Sequence, residues 1–363
     1  MSPRTRDLGI RIGRGTPGDL NAITDVPGVR VGHQSVIRGP DGDPGTARTG
    51  VTAIFPHSGT PWDEPVYVGT HILNGYGELI GINQLREWGV LMSPIVLTSS
   101  LAIGKAYDAT VRWIAGTSEE WAQEVMPIVS ECDDSFLNAV LTFPLTDDDV
   151  AAALGTAVGG PVAEGSVGSG VGMQCFDFKG GIGTASRAIP ADEGGFTVGV
   201  LVMTNHGDRA HLLIDGVRVG EAIADFMPTE HSEGSCVVVV ATDAPLLPHQ
   251  LDRVAQRAGL GLARGGSMAS NGSGEQMIAF STANRLPRAP RDIADVRAVL
   301  DGPDRPPWLL SALFAATVEA TEEAVANALF AATTVIGHDG NTLFAMPHEP
   351  TLAALDAAGR LSR

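Results

Sequence analysis

The sequence predicts an α/β fold in which helices cover sheets whose strands are apolar on both faces. Three observations carry this reading. Apolar runs of strand length recur between residues 50 and 282, and stretches with helical spacing alternate with them. The composition, 44% hydrophobic with only 5% aromatic residues, implies a core of Ala, Val, Leu and Ile. Continuous apolar strands interleaved with helices belong to sheets with both faces covered. The 45 glycines and 23 prolines add a loop-rich frame to that core.

The elements follow in chain order. GVTAIF (residues 50–55) is the first strand candidate, and LIGINQLREW (79–88) is read as a helix that stops at Gly89. PIVLTS (94–99) is a strand, residues 102–121 carry apolar side chains at roughly helical spacing, and PIVSEC (127–132) is a strand again. Asp147, Asp148 and Asp149 open a helix over VAAALG, where acidic residues favour the positive end of the dipole. FTVGVLVMT (196–204), CVVVVAT (236–242) and QMIAFST (276–282) are the strands of the second half. Residues 307–335 form a closing helical block apolar enough to be buried on more than one face, with an expected break near Thr321.

At 363 residues the chain could hold one large domain or two, since single cores rarely grow beyond roughly 250–300 residues. The Pro- and Arg-rich segment 285–307 is read as a long loop within one fold, because the helices after it need a sheet to cover. The expectation is therefore a single domain over residues 1–363. A net charge of −18 would repel a phosphate backbone or an anionic bilayer, so neither nucleic acid nor membrane is expected as a partner. Cys132, Cys175 and Cys236 are far apart and form no C-x-x-C pair, which argues against a disulfide framework or a thiolate zinc site. With no apolar run of signal-peptide or membrane-span length, the chain is read as soluble and cytoplasmic.

Residues 164–187 are unusually rich in glycine but lack the phosphate-loop pattern and open no helix of a dinucleotide-binding unit. Their glycines are read as sites of close backbone approach. Lys179 and Arg187 could bind an anion there, or stand as solvated or core-edge charges. His206 and His211 with Asp208 are a minor metal hypothesis beside a plain solvated or structural reading. Neither a G-x-S-x-G elbow nor an H-E-x-x-H helix occurs.

The most informative pair is Gly234-Ser235, flush against the apolar run that follows. A self-cleaving hydrolase keeps its nucleophile in such a place; an ordinary turn into a strand has the same local pattern. Cleavage there would expose a serine whose α-amine, with an ordinary pKa of about 7.7–8.0, can act as base toward its own hydroxyl. Ser273 and Glu275 stand two apart before another strand, so an extended backbone projects both to one face as a proton relay. N-G-S-G is equally a strong turn signal. Asn205 ends a strand, where its amide could donate to an oxyanion or simply close a turn.

GSCVVVVATDAPLLPHQLDRVAQRAGLGLARGGS (234–267) with NGSGE (271–275) resembles the DmpA-type aminopeptidases, which include L-aminopeptidase/D-amidase/esterases and β-peptidyl aminopeptidases. The resemblance extends to ITDVPGVRVGH (23–33), NGYGEL (74–79), the glycine-rich segment and EATEEAVANALFAATTVIGHDG (319–340). It implies a four-layer αββα sandwich, like the N-terminal-nucleophile hydrolases but with different connectivity. It also implies autocleavage between Gly234 and Ser235 into an α chain, 1–234, and a β chain, 235–363, assembled as a homo-oligomer of αβ units. By the same resemblance Ser235 is the nucleophile, flanked by Ser273 and Glu275; Asn205 is the oxyanion amide, and Glu131 receives the substrate's free amino group. Small peptides, amides or esters are the implied substrates, with no cofactor and no metal. Cys236 stands where an aliphatic residue is usual, a change a buried thiol tolerates. The rival readings are an uncut, inactive homologue serving as a binding or scaffold protein, and a related amide hydrolase or acyltransferase.

Overall fold

The strand Gly234–Thr242 shows how the layers arise: Val237, Val239 and Ala241 alternate with Cys236, Val238 and Val240, and all six are fully buried. A strand apolar on both faces has to sit between two covering layers. In the computed structural model, which describes residues 3–118, 120, 123–230, 234–287, 293–301 and 308–362, those layers are explicit.

The strands are, in order, β1 (Arg30–Arg38), β2 (Ala47–Phe55), β3 (Val66–Gly75), β4 (Leu79–Ile80), β5 (Val90–Leu91), β6 (Ile95–Ser99), β7 (Ile128–Cys132), β8 (Gln174–Cys175), β9 (Phe178–Lys179), β10 (Gly181–Ala188), β11 (Thr197–His206), β12 (Gly234–Thr242), β13 (Gly274–Arg285), β14 (Val335–Ile336) and β15 (Thr342–Leu343). The α-helices are α1 (Ile82–Trp88), α2 (Ile103–Thr117), α3 (Asp147–Gly155), α4 (Pro248–Arg264), α5 (Trp308–Ala331) and α6 (His348–Ala357). One sheet has the order β1-β2-β6-β7-β4, the other β10-β11-β12-β13-β3-β5; β8-β9 and β14-β15 are small ribbons. Neighbours in the two sheets are antiparallel except β6·β7 and β12·β13. A parallel pair needs a crossover, and α2 and α4 supply the two, one for each sheet.

Three apolar clusters separate four layers. Ala106, Ala109, Val150 and Ala153 of α2 and α3 pack on Val51, Ala53 and Val96 of the first sheet. Ile54, Ile95 and Leu97 meet Leu201, Met203, Val237 and Val239 between the sheets. Val238 and Val240 meet Leu251 and Val254 of α4 and Leu329 of α5 on the far side. The αββα sandwich expected from the resemblance is the observed architecture.

Several local expectations need correction. The helical block does not break at Thr321: α5 runs unbroken from Trp308 to Ala331. Thr317 and Thr321 donate their hydroxyls to the carbonyls of Leu313 and Thr317, each at 2.8 Å, so the helix absorbs its own polar side chains. Leu79 and Ile80 belong to β4, and α1 starts only at Ile82, though it ends at Gly89 as expected, with φ +66°. Residues 119, 121 and 122, read as the end of a helix, lie outside the described residues, as do 288–292 and 302–307 of the expected loop. Arg187 is neither solvated nor an anion site. It is buried in β10 and bonded to Glu323 at 2.7 Å and Glu319 at 3.1 Å on α5. No helix among the described residues is long and apolar enough to cross a membrane.

Candidate active site

Strand β12 begins one residue before Ser235. Gly234 holds φ +78° and pairs with His206 of β11, and a Cβ there would lie 1.8 Å from the backbone oxygen of Asn205, the residue before that partner. Both the left-handed backbone and the close approach of the neighbouring strand exclude a side chain at this position. Ser235 follows as the cross-strand partner of Asn205. By strand alternation its side chain shares a face with Val237 and Val239, toward the first sheet. Only 4% of Ser235 is exposed, and among the described residues its Oγ has no hydrogen-bond partner. A neighbour on that face is the Cys132 thiol of β7; burial pushes its pKa up, and the Ser235 hydroxyl is close enough to oppose that rise.

Asn205 is fixed from one side. Its Oδ1 accepts from the backbone N–H of Gln174 at 2.8 Å, which orients the amide and leaves Nδ2 buried with no partner among the described residues. An unsatisfied buried donor costs roughly 1–3 kcal/mol, so the fold keeps a donor ready at its own expense. Such a donor beside Ser235 suits an oxygen that gains negative charge.

Ser273 and Glu275 do meet as their spacing predicts: the hydroxyl donates to Oε1 of the carboxylate, and both residues are buried. Glu275 pairs with Cys236 across the parallel β12·β13 ladder and with Asn74 across β3, next to a β-bulge. Burial raises the Glu275 pKa, while hydrogen bonds from Ser273 and Asn74 lower it. The pair stands one strand from Ser235, level with the residue after it, and outside the cavity wall.

That cavity, of about 930 Å³, brings Ser235 and Gly234 together with Glu131 of β7. Glu131 is 6% exposed. The Glu78 backbone N–H donates to its Oε1 at 2.7 Å and the Ser100 hydroxyl donates to its Oε2. Burial raises its pKa, and these two hydrogen bonds work against that rise. Glu78 and Asp133 also line the space and, among the described residues, no basic side chain does, so its wall is acidic. A smaller apolar recess of about 270 Å³ adjoins it through Leu101 and Val140.

Among the described residues the histidines assemble no metal site. His206 is buried, its ring nitrogens have no hydrogen-bond partner among the described residues, and burial lowers its pKa to about 4, which favours the neutral ring. His211 instead faces Asp208 at 3.4 Å. Among the described residues no group of three His, Cys, Asp or Glu side chains could hold a metal ion. Sequence reasoning passed over Ser100, Glu78, Asn74 and Gln174, which hold the site side chains. The only signal for them was the N-G-Y-G turn before Glu78; the others are ordinary strand and turn residues until the two sheets are stacked.

Residues 21–343 match the family model for peptidase family S58. The chain is 44% identical to the β-peptidyl aminopeptidase BapA of Sphingosinicella xenopeptidilytica, covering 96% of this chain and 89% of that protein. Among solved structures it is similar to the L-aminopeptidase D-Ala-esterase/amidase of Ochrobactrum anthropi, a variant of the Ntn hydrolase fold (TM-score 0.92, 42% identity, 99% and 100% coverage). A Burkholderia sp. β-aminopeptidase is similar to the same degree (TM-score 0.90, 44% identity, 98% and 99% coverage).

Proposed function

The chain belongs to peptidase family S58, and from that premise we propose that it is a self-processing aminopeptidase and amidase with Ser235 as its nucleophile. The observation that carries the reading is the buried Ser235 hydroxyl at an acid-lined cavity, preceded by a residue that only glycine can be.

Processing comes first. The Ser235 hydroxyl attacks the Gly234 carbonyl carbon, the bond from that carbon to the Ser235 nitrogen breaks, and the acyl group moves to Oγ. Water then hydrolyses the ester, leaving a carboxylate on Gly234, a free hydroxyl and a new α-amine on Ser235. The α chain (1–234) and β chain (235–363) stay in one domain, since β12 and its neighbours β11 and β13 form one sheet across the cut.

Catalysis repeats the chemistry on an outside substrate. Glu131 receives the substrate ammonium, which seats the next carbonyl at Ser235. The α-amine takes the hydroxyl proton, Asn205 Nδ2 donates to the oxyanion, and the Ser273–Glu275 pair orders the strand start and passes the proton on. The leaving amine departs and water frees the acyl group. Substrates are short peptides, amides or esters with a free amino group, small enough for the cavity. The enzyme works as a homo-oligomer of αβ units in the cytoplasm. Hydrolysis of dipeptide amides tests this: free-amine substrates are cut and their N-acetyl derivatives are not. Equal rates on both would overturn the assignment of the cavity.

A further inference from the structure

The glycine-rich segment holds a lysine that the reaction above leaves unused. Lys179 of β9 is fully buried, and its Nζ donates to three backbone carbonyls: Gly170 at 2.7 Å, Gly180 at 2.8 Å and Met173 at 2.9 Å. Three acceptors with no hydrogen of their own require three N–H bonds, which only the ammonium form supplies. Burying a charge this completely is expensive, and an apolar side chain of the same length would fill the space at less cost.

The Met173 carbonyl is the informative acceptor, because it and the Gln174 N–H are two ends of one peptide group. The oxygen end takes the ammonium at 2.9 Å and the Gly180 N–H at 2.8 Å; the N–H end donates to Asn205 Oδ1 at 2.8 Å. Asn205 is itself an amide, and its Nδ2, at the other end, has no partner among the described residues. A positive charge on the first carbonyl polarises the peptide group, strengthens its N–H as a donor, and so polarises the second amide in the same sense, as hydrogen-bond chains do.

We infer that the Lys179 ammonium is a positioning residue for amide hydrolysis: through the Met173–Gln174 peptide group it locks and polarises Asn205, so that Nδ2 meets the oxyanion as a stronger donor. This rests on the reading of Asn205 as the oxyanion donor. Burial lowers the Lys179 pKa to about 7, with Cys175 and Asp134 opposing the fall; the three carbonyls around Nζ are the contacts that favour the ammonium form.

The test uses the full chain carrying Lys179→Met, Lys179→Gln, Asn205→Ala, and Lys179→Gln with Asn205→Ala. Lys179→Gln keeps a neutral donor for the carbonyls and serves where the methionine variant does not fold. On a free-amine dipeptide amide the lysine variants are expected to lose roughly 10- to 100-fold in kcat, less than the ~10²–10³-fold typical of deleting an oxyanion donor outright. KM is expected to stay within about twofold, and the double variant to be no slower than Asn205→Ala alone. A Lys179→Gln enzyme with wild-type kcat, while Asn205→Ala is impaired, overturns the relay and leaves the oxyanion reading standing. Losses that simply multiply in the double variant overturn the relay too. Wild-type kcat in Asn205→Ala overturns both.

Discussion

Gly234→Ala is a substitution of one methyl group whose effect follows from two features of the strand start. The backbone there has φ +78°, which for a residue with a Cβ costs about 1–2 kcal/mol. The added Cβ would also stand 1.8 Å from the Asn205 oxygen, where real contacts do not fall below 3.0 Å, so β11 and β12 would have to part by more than an ångström at the Asn205·Ser235 pair. That separation stretches a ladder hydrogen bond beyond its working range, a loss of about 1 kcal/mol. The combined penalty of about 2–3 kcal/mol falls on the geometry that brings the Ser235 hydroxyl to the Gly234 carbonyl, and corresponds to roughly 30- to 150-fold in rate. Freshly expressed Gly234→Ala protein, followed by denaturing gel, is expected to persist as a full-length chain long after the wild type has divided. A melting temperature measured alongside separates slowed cutting from loss of the fold. Processing at the wild-type rate would refute the argument that this backbone position sets the reaction.

Four further outcomes follow from the geometry of the site. Glu131→Gln removes the charge that meets the substrate ammonium, so KM for free-amine dipeptides should rise roughly 10- to 100-fold, the worth of one charge-assisted hydrogen bond. Autocleavage should proceed normally in that variant, because the Gly234–Ser235 bond brings no ammonium of its own. Burial raises the Glu131 pKa, so as pH falls the carboxylate takes its proton above the ordinary carboxylate range and KM rises from there; Glu131→Gln should flatten this limb of the wild-type KM profile. Ser273→Ala and Glu275→Gln should each lower kcat while changing KM little, and because the two side chains are hydrogen-bonded, steady-state kinetics on the double variant should show less than the product of the single losses.

The parts of this protein legible in its sequence are those decided by local pattern. The apolar run from Cys236 to Thr242 becomes a strand buried on both faces, Gly89 stops α1, and three aspartates open α3, with the Thr146 side chain accepting from the Asp149 N–H. The Ser273–Glu275 contact was legible for the same reason, since an i, i+2 spacing in extended chain needs no knowledge of the rest of the fold. Strand β10 was not legible. Its sequence GIGTASRA has few of the branched residues that mark a strand, and it forms because α5 lies directly on it: a Cβ on Gly183 would stand 1.9 Å from the Ala324 oxygen. The approach of Glu131 to Ser235 also could not be read from spacing, because the two sit on different sheets and meet only when the sheets stack. Lys179 is the sharpest case. As a residue in a glycine-rich stretch it reads as a surface or core-edge charge, and only the folded backbone turns three carbonyls toward it.

The most direct test is the intact mass of purified wild-type protein and of Ser235→Ala, measured together with hydrolysis of a free-amine dipeptide amide. The wild type should give two masses, for residues 1–234 and for a chain starting at Ser235, and should hydrolyse the substrate. Ser235→Ala should give one mass for all 363 residues and no hydrolysis. An uncut wild-type chain with full activity, or a Ser235→Ala chain that divides at Gly234 or stays active, would contradict self-processing by Ser235.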